Sequence, residues 1–294
     1  MIVLITGSNG LLGQKIVKQL LNARMPFIAS SQGENRNPDC PEEVYRKMDI
    51  SSQIEISAVF QEIKPTHVIH TAAITNVDYC ESNPELCYAL NVAATLIVIN
   101  EAIGINAHFQ LLSSDFIFDG ENGPYTETDT PNPLSHYATS KWKAEQLLHL
   151  GSYKNWSIVR TIIVYGQGHN LSRSNLIYWA KESLLAQREI SVIDDQFRAP
   201  TWADDLAWAC IRICQLGKLG VYNACGPETL SIFDIVLRIA RFYNCDETLI
   251  KKTNSTHLNQ AAKRPSKTGL VLTKSFNEFG YSPKSLEETL ALLD

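Results

Sequence analysis

The sequence predicts an α/β fold, a doubly wound parallel sheet with a smaller C-terminal part, on three observations. Short β-branched runs alternate with segments of helical periodicity from residue 1 to about residue 165. The runs are apolar throughout, as strands covered on both faces must be. A strand, three glycines and then a helical pattern open the chain, with Gly7, Gly10 and Gly13 spaced three and three.

The elements follow in order. Strand runs stand at "MIVLIT" (1–6), "FIAS" (27–30), "THVIHTAA" (66–73), "HFQLLSS" (108–114) and "SIVRTIIVY" (157–165). The spacing of apolar residues predicts helices over 11–23, 53–63, 84–104 and 136–150. Beyond about 166 the rhythm lapses. There "GKLGVYNACGPETLSIFDIVLRIARFY" reads as a strand, a turn and an amphipathic helix, with Ser231 as N-cap and Asp234 in the first turns. A chain of 294 residues exceeds the usual range of one core, so two parts are expected.

Composition limits the function classes. An apolar share of 45%, a charged share of 19% and a net charge of −5 leave no broad basic surface for nucleic acid or anionic membrane. "MIVLITGSNG" enters a strand at once, without the charged and apolar regions of a secretion signal, and no apolar run is read as approaching the ~18 residues of a membrane span. A cytoplasmic protein is expected. Seven cysteines form no Cys-x-x-Cys pair, so buried reduced thiols and no metal are expected; Cys210 and Cys214 share a helix face without histidines nearby. His67 and His70, an odd number apart in a strand run, fall on opposite faces.

Doubly wound sheets bind ligands outside the carboxyl ends of their strands. The first such end is "TGSNGLLGQKIVKQLL". Gly7 and Gly10 let the backbone approach a pyrophosphate, Gly13 lets the helix pack closely, and the amides opening the helix hold the group by their partial positive charge, with Ser8, Asn9, Gly10 and Leu11 expected at the cofactor. This is a Gly-x-x-Gly-x-x-Gly variant of the Rossmann-type fingerprint, pointing to a nicotinamide dinucleotide. After the second strand, "FIASSQGENR" has Ser30 and Ser31 where an acid would select NAD, with Arg36 following. Hydroxyls and a guanidinium suit a 2′-phosphate, so NADPH is expected, with NADH possible because Glu34 is close. In "KMDIS", Asp49, followed by Ile50, either accepts from the adenine amino group or caps a turn.

Taken in order, "TGSNGLLG", "DIS", "HTAAITNVDYCESNPELCYALNV", "LLSSDFIFDGENGPYTETDTPNPLSHYATSK", "VRTIIVYG", "IDDQFRAPTWADDLA" and "KRPSKTGLVL" resemble the extended short-chain dehydrogenase/reductases, and among them the dTDP-4-dehydrorhamnose reductase family. The resemblance covers nearly the whole chain. It implies an NAD(P)-binding Rossmann domain over 1–165 and a substrate-binding domain over most of 166–294, with segments near 200–216 returning to the first. The reaction it implies is reduction of the keto group of a nucleotide-linked 4-keto sugar, dTDP-4-dehydrorhamnose to dTDP-L-rhamnose.

The catalytic residues implied are Ser114, Asp115, Tyr137 and Lys141. "YATSK" sets Tyr137 and Lys141 one helical turn apart on one face. An ammonium there favours the phenolate and lowers the phenol's pKa, so that Tyr137 protonates the keto oxygen as hydride arrives. Ser114 hydrogen-bonds the same oxygen, and Asp115 either tunes the site or caps the strand end. By the same resemblance Ala72, Ala73, Thr75, Thr161 and Ile162 line the dinucleotide. Asn91 supports the site on the cofactor side or is a buried amide satisfied by backbone. Val77, Ile163, Gln196, Phe197, Arg198, Pro200 and Thr201 face the nucleotide sugar. Arg198 either pairs with its diphosphate or is a solvated surface charge.

Three departures leave the sugar open: Ile163 stands where the family has tryptophan, Ser114 where it has threonine, and "GHNLSR" replaces its usual stretch. Phe116 after Asp115 differs from the second acid of the 4,6-dehydratases and matches the reductases, with dehydratase and epimerase activities as the alternatives. A non-catalytic NADP-binding regulatory subunit, like the methionine adenosyltransferase β subunit, is the alternative from another class, and Asp115 favours the reductase. A homodimer is left open.

Overall fold

The computed structural model describes residues 1–171, 175–258 and 260–293. In chain order the first half holds β1 (Val3–Thr6), α1 (Leu11–Asn22), β2 (Phe27–Ser31), β3 (Tyr45–Lys47), α2 (Gln53–Ile63), β4 (His67–His70) and α3 (Val77–Ser82). Then come α4 (Pro84–Tyr88), α5 (Thr95–Gly104), β5 (His108–Ser114), α6 (His136–Leu150), β6 (Trp156–Thr161) and β7 (Val164–Tyr165). The second half holds α7 (Leu176–Leu185), β8 (Ile190–Ile193), β9 (Phe197–Arg198), β10 (Thr201–Trp202), α8 (Ala203–Gln215) and β11 (Gly220–Asn223). It ends with β12 (Leu230–Ser231), α9 (Ile232–Phe242), β13 (Ile250–Thr253), β14 (Lys267–Thr268), α10 (Thr273–Phe279) and α11 (Leu286–Leu290).

Seven parallel strands form the main sheet in the order β11-β6-β5-β4-β1-β2-β3. Chain order reverses on either side of β1, so the crevice above β1 and β4 is the switch point where such sheets bind ligands. The strands are apolar throughout because both faces are covered. On one side Ile16, Val17 and Leu20 of α1 pack with Leu206, Cys210 and Ile213 of α8. On the other, Ile56 and Phe60 of α2, Val98 of α5 and Leu148 of α6 close the core. A separate cluster joins Ile177, Ile235, Ile239 and Leu290 around α7, α9 and α11. The doubly wound sheet with its smaller C-terminal part is as the sequence predicts, and Ser231 caps α9 by accepting from the Asp234 amide.

Three expectations are corrected. The run 157–165 is not one strand: it breaks after Thr161, and β7 leaves the main sheet to pair with β10. Ile163, at φ +32°, turns the chain, and the Thr201 hydroxyl fills the break by donating to the Ile162 carbonyl. Residues Pro84–Gly104 form one continuous helix whose most apolar window has mean hydropathy 1.7, long and apolar enough for a membrane span by length and composition. In this fold its Ala94, Val98, Ile99 and Ala102 are core residues. Cys80 and Cys87 are not reduced thiols but a disulfide between α3 and α4.

Helix α6 is fixed to the sheet by a buried ion pair. Arg160 of β6 makes a two-point contact with Glu145, Nε to Oε1 at 3.1 Å and Nη2 to Oε2 at 2.7 Å, and both side chains are sealed from solvent. Removing one partner strands the other's charge. Arg160→Met is expected to lower unfolding free energy in urea by about 3–5 kcal/mol, and pairing it with Glu145→Leu to recover most of that loss.

Candidate active site

The glycine turn is dictated by crowding. Gly7 lies at φ +72°, and a Cβ there would sit 2.7 Å from the Ala72 amide at the end of β4. A Cβ on Gly13 would sit 2.5 Å from the Gly7 carbonyl. Gly10, exposed, caps α1 and donates to the Gly7 carbonyl at 2.9 Å. The Ser8 hydroxyl is buried yet has no hydrogen-bond partner. An orphaned hydroxyl at a helix start fits a pyrophosphate, while the Ser8 and Asn9 amides donate within the chain, to the Ser30 carbonyl and the Ser31 hydroxyl, both at 3.0 Å. Asn9 braces the turn through its side chain, donating to the Glu34 carbonyl at 2.9 Å and accepting from the Arg36 amide at 2.8 Å.

Beyond β2 the expected 2′-phosphate set is corrected in part. Ser30 is fully buried and its hydroxyl donates to the Ile5 carbonyl at 3.1 Å, inside the sheet. Arg36 is exposed, its backbone held by Asn9 and by Asn170, whose amide donates to the Arg36 carbonyl at 3.0 Å. Glu34 faces Lys47 at 3.5 Å. Asp49 forms the turn contact: its Oδ1 accepts from the Ser51 amide at 2.8 Å and hydroxyl at 2.7 Å, which hold its pKa below the usual carboxylate range. Ile50 is a core residue.

The dyad stands on the inward face of α6. Ser135 caps the helix by accepting from the Ala138 amide, and Tyr137, Lys141 and Glu145 follow at four-residue intervals, all buried. Tyr137 is walled by Ile74, Val77, Phe116 and the Cys80–Cys87 disulfide, with the Phe116 ring edge-on at 6.1 Å. The Ser140 hydroxyl donates to the Tyr137 carbonyl at 2.7 Å and accepts from Asn91 at 2.9 Å. Asn91 also accepts from the Ile74 amide and donates to its carbonyl, at 2.8 and 3.0 Å. Its amide is therefore consumed within the chain: Asn91 is a brace, set in a π-helical stretch, Ala89–Ala94, between α4 and α5.

Burial pulls the Lys141 ammonium down from 10.5 to about 8, against the pull of Glu145. Ser114 closes β5, and its hydroxyl donates to Asp115 at 3.0 Å. Asp115 is buried, and its second oxygen accepts from the Thr268 hydroxyl. Burial pushes the Asp115 carboxyl up, while Arg198, Thr268 and Ser114 pull it down.

Both readings of Arg198 are corrected. Its side chain is among the largest fully buried ones, stacked over Phe116 at 5.2 Å. The guanidinium donates to the carbonyls of Phe197, Pro265 and Ser266 and to Oε1 of Gln196. It is neither a solvated charge nor a free donor for a diphosphate. Pro200 is buried and Phe197 half-buried. Thr161 donates to the Thr201 hydroxyl at 3.1 Å, and Ile162 is buried behind it. Ala72, Ala73, Val77 and Ile163 are half-buried and Thr75 is exposed. Of "GHNLSR", Ser172 and Arg173 lie outside the described residues. The structure thus gathers the glycine turn, 72–77, 114–116 and α6 at the carboxyl ends of β1, β4 and β5, with 161–163 following β6; Ser30 lies within β2, Arg36 is tied to the glycine turn through Asn9, and Asp49 follows β3. The sequence reading missed Thr268 and the Arg264–Asp78 pair (2.6 Å), whose partners are 153 and 186 residues away.

Over residues 1–293 the chain matches the family described as RmlD substrate binding domain. The chain belongs to this family. It is 30% identical, over 98% of its length and 96% of the relative's, to dTDP-4-dehydrorhamnose reductase of Aggregatibacter actinomycetemcomitans. Probable low-salt glycan biosynthesis reductase Agl14 of Haloferax volcanii is 29% identical over 100% of this chain and 97% of its own. Methionine adenosyltransferase 2 subunit beta of Xenopus tropicalis is 28% identical over 82% of this chain and 72% of its own. Among solved structures, dTDP-4-dehydrorhamnose reductase of Bacillus anthracis in complex with NADP superimposes with a TM-score of 0.84 at 26% identity, covering 99% and 98% of the two chains. The family resemblance read from the motifs is borne out.

The buried ammonium has a measurable signature. Because its folded pKa lies below its unfolded value, Lys141 costs stability wherever it is charged in both states, and that cost disappears as pH rises from about 8 towards 10.5. Lys141→Met is expected to be more stable than the natural chain at pH 7, by an amount on the order of 3 kcal/mol, with the gap closing by pH 10 in denaturant titrations.

Proposed function

We propose that this chain is an NADPH-dependent reductase of a nucleotide-linked 4-keto-6-deoxy sugar, converting dTDP-4-dehydrorhamnose to dTDP-L-rhamnose in the cytoplasm. One observation carries the reading: Tyr137 and Lys141 share the buried face of α6, against Phe116 and the end of β5 at Ser114, on the crevice opened by the glycine turn. The named reductases among the relatives support the reaction class.

Ser8 and the amides opening α1 would hold the pyrophosphate, Arg36 the 2′-phosphate, and Lys141 the ribose beside the nicotinamide. When bound, the reduced nicotinamide supplies the hydride. Tyr137 gives its phenolic proton to the keto oxygen as charge develops there, and Lys141 favours the phenolate left behind. Ser114 holds that oxygen against Tyr137. A phenylalanine, not a second carboxylate, follows Asp115, so the site has no additional acid–base residue for eliminating water.

The relatives that are methionine adenosyltransferase β subunits keep a regulatory reading in view. The test is oxidation of NADPH and NADH with dTDP-4-dehydrorhamnose generated in place. The natural chain is expected to turn over. Tyr137→Phe should fall by roughly 10²–10⁴-fold while still binding NADPH, and Arg36→Ala should lose preference for NADPH over NADH. A folded, NADPH-binding chain that reduces no 4-keto sugar and co-purifies with a stoichiometric synthetase would overturn the reductase reading.

A further inference from the structure

Thr268 lies in the C-terminal stretch "KRPSKTGLVL", far in sequence from every catalytic residue. Its side chain is fully buried, and its hydroxyl donates to Oδ2 of Asp115. The other carboxyl oxygen, Oδ1, accepts from Ser114 at 3.0 Å. The carboxyl thus joins two hydroxyls, one at the reacting end of β5 and one on β14.

Strand β14 is held in register from several sides. It pairs with β9, Lys267 to Phe197 and Thr268 to Arg198. Arg198 grips the carbonyls of Pro265 and Ser266, at 2.6 and 3.2 Å. Arg264 grips Asp78 on α3 at two points, 2.6 and 3.0 Å. The guanidinium of Arg198, spent on those carbonyls, acts on Asp115 through its field, and the side-chain hydrogen bonds to the carboxyl come from the two hydroxyls.

Orientation matters because a carboxyl turns easily about its terminal bond and a serine has one proton to give. We infer that Thr268 is a positioning residue for the reduction: by donating to Oδ2 it fixes the rotation of the Asp115 carboxyl, so that Oδ1 faces Ser114 and holds that hydroxyl in place at the reacting end of β5. The inference rests on the reductase reading above. The charged and titratable groups facing Asp115 are Arg198 on β9 and the buried thiol of Cys225, with Arg264 facing Arg198 in turn.

The test compares Thr268→Val and Thr268→Ser with the natural chain. In the valine variant kcat is expected to fall about a hundredfold with KM little changed. Serine restores it. Equal kcat in the valine variant, or equal losses in the two variants, overturns the inference. A second readout needs no turnover: the 13C-carboxyl titration of Asp115, assigned through Asp115→Asn, in folded protein. An inflection unmoved by Thr268→Val overturns the proposal whatever sugar is reduced. A moved inflection in a chain that reduces no 4-keto sugar upholds the coupling of Thr268 to Asp115 and sinks the reaction reading instead.

Discussion

The geometry of the site depends on the ion pair between Arg160 and Glu145. Helix α6 carries both members of the dyad but packs on β5 and its neighbours through one face, and Glu145 is the sealed residue on that face, two turns beyond Tyr137. Burial alone would raise the Glu145 carboxyl. Bonds from His149 and Arg160 carry it below its ordinary value instead, so it stays ionised in the interior. Arg160 has a second anchor, donating to the Glu127 carbonyl at 3.1 Å, which fastens the loop before α6 to the same strand. A two-point contact fixes rotation as well as distance. Slippage of α6 by one residue would turn Tyr137 away from Phe116 and Ser114.

The same pair sets the electrostatics of Lys141. Glu145 is one turn away and is the opposite charge that opposes the fall in the ammonium's pKa. Because Glu145 already answers Arg160, it does not hold Lys141 at its solution value. The result is a lysine near 8, charged at neutral pH yet poorly compensated. Such a group gains most from any anion that appears beside it. In the proposed reaction a phenolate forming on Tyr137 would be such an anion, and the cost of burying Lys141 would thereby be turned towards the step that needs it.

Much of this was legible in the sequence. The helix predicted over 53–63 and the strand over 108–114 have those bounds, and the glycine turn is where its spacing put it. Local pattern failed where a partner is remote or the backbone unusual. Apolar residues continue through 157–165, but hydropathy does not register the left-handed backbone at Ile163. Ser30 has a hydroxyl in the right slot, yet alternation along β2 turns it into the sheet. The partners of Arg198 are mostly main-chain carbonyls, two of them at Pro265 and Ser266, and main chain leaves no compositional mark. Helix Pro84–Gly104 is apolar enough to resemble a span because it packs on the sheet beside α2 and α6, and a π stretch inside it aims Asn91 at Ile74 and Ser140.

The wall proposed to face the substrate follows a related economy of charge. Two arginines approach it, and each is already committed: Arg198 to four oxygens of its own chain, Arg264 to Asp78. Neither is left as an open fork for a diphosphate. Under the proposed function, a sugar nucleotide arriving there would meet the field of a buried cation, and discrimination would fall to shape. The residues proposed to set that shape are Phe197, Pro200, Val77 and the turn at Ile163, a β-branched residue in a conformation such residues rarely adopt. The Thr201 amide donates to the Ile163 carbonyl at 3.0 Å, and the Thr201 hydroxyl bonds the Ile162 carbonyl beside it. A strained turn held on both sides yields little to a misfitting ligand, so the residue that departs from the family at this position also stands on a stiff part of the wall.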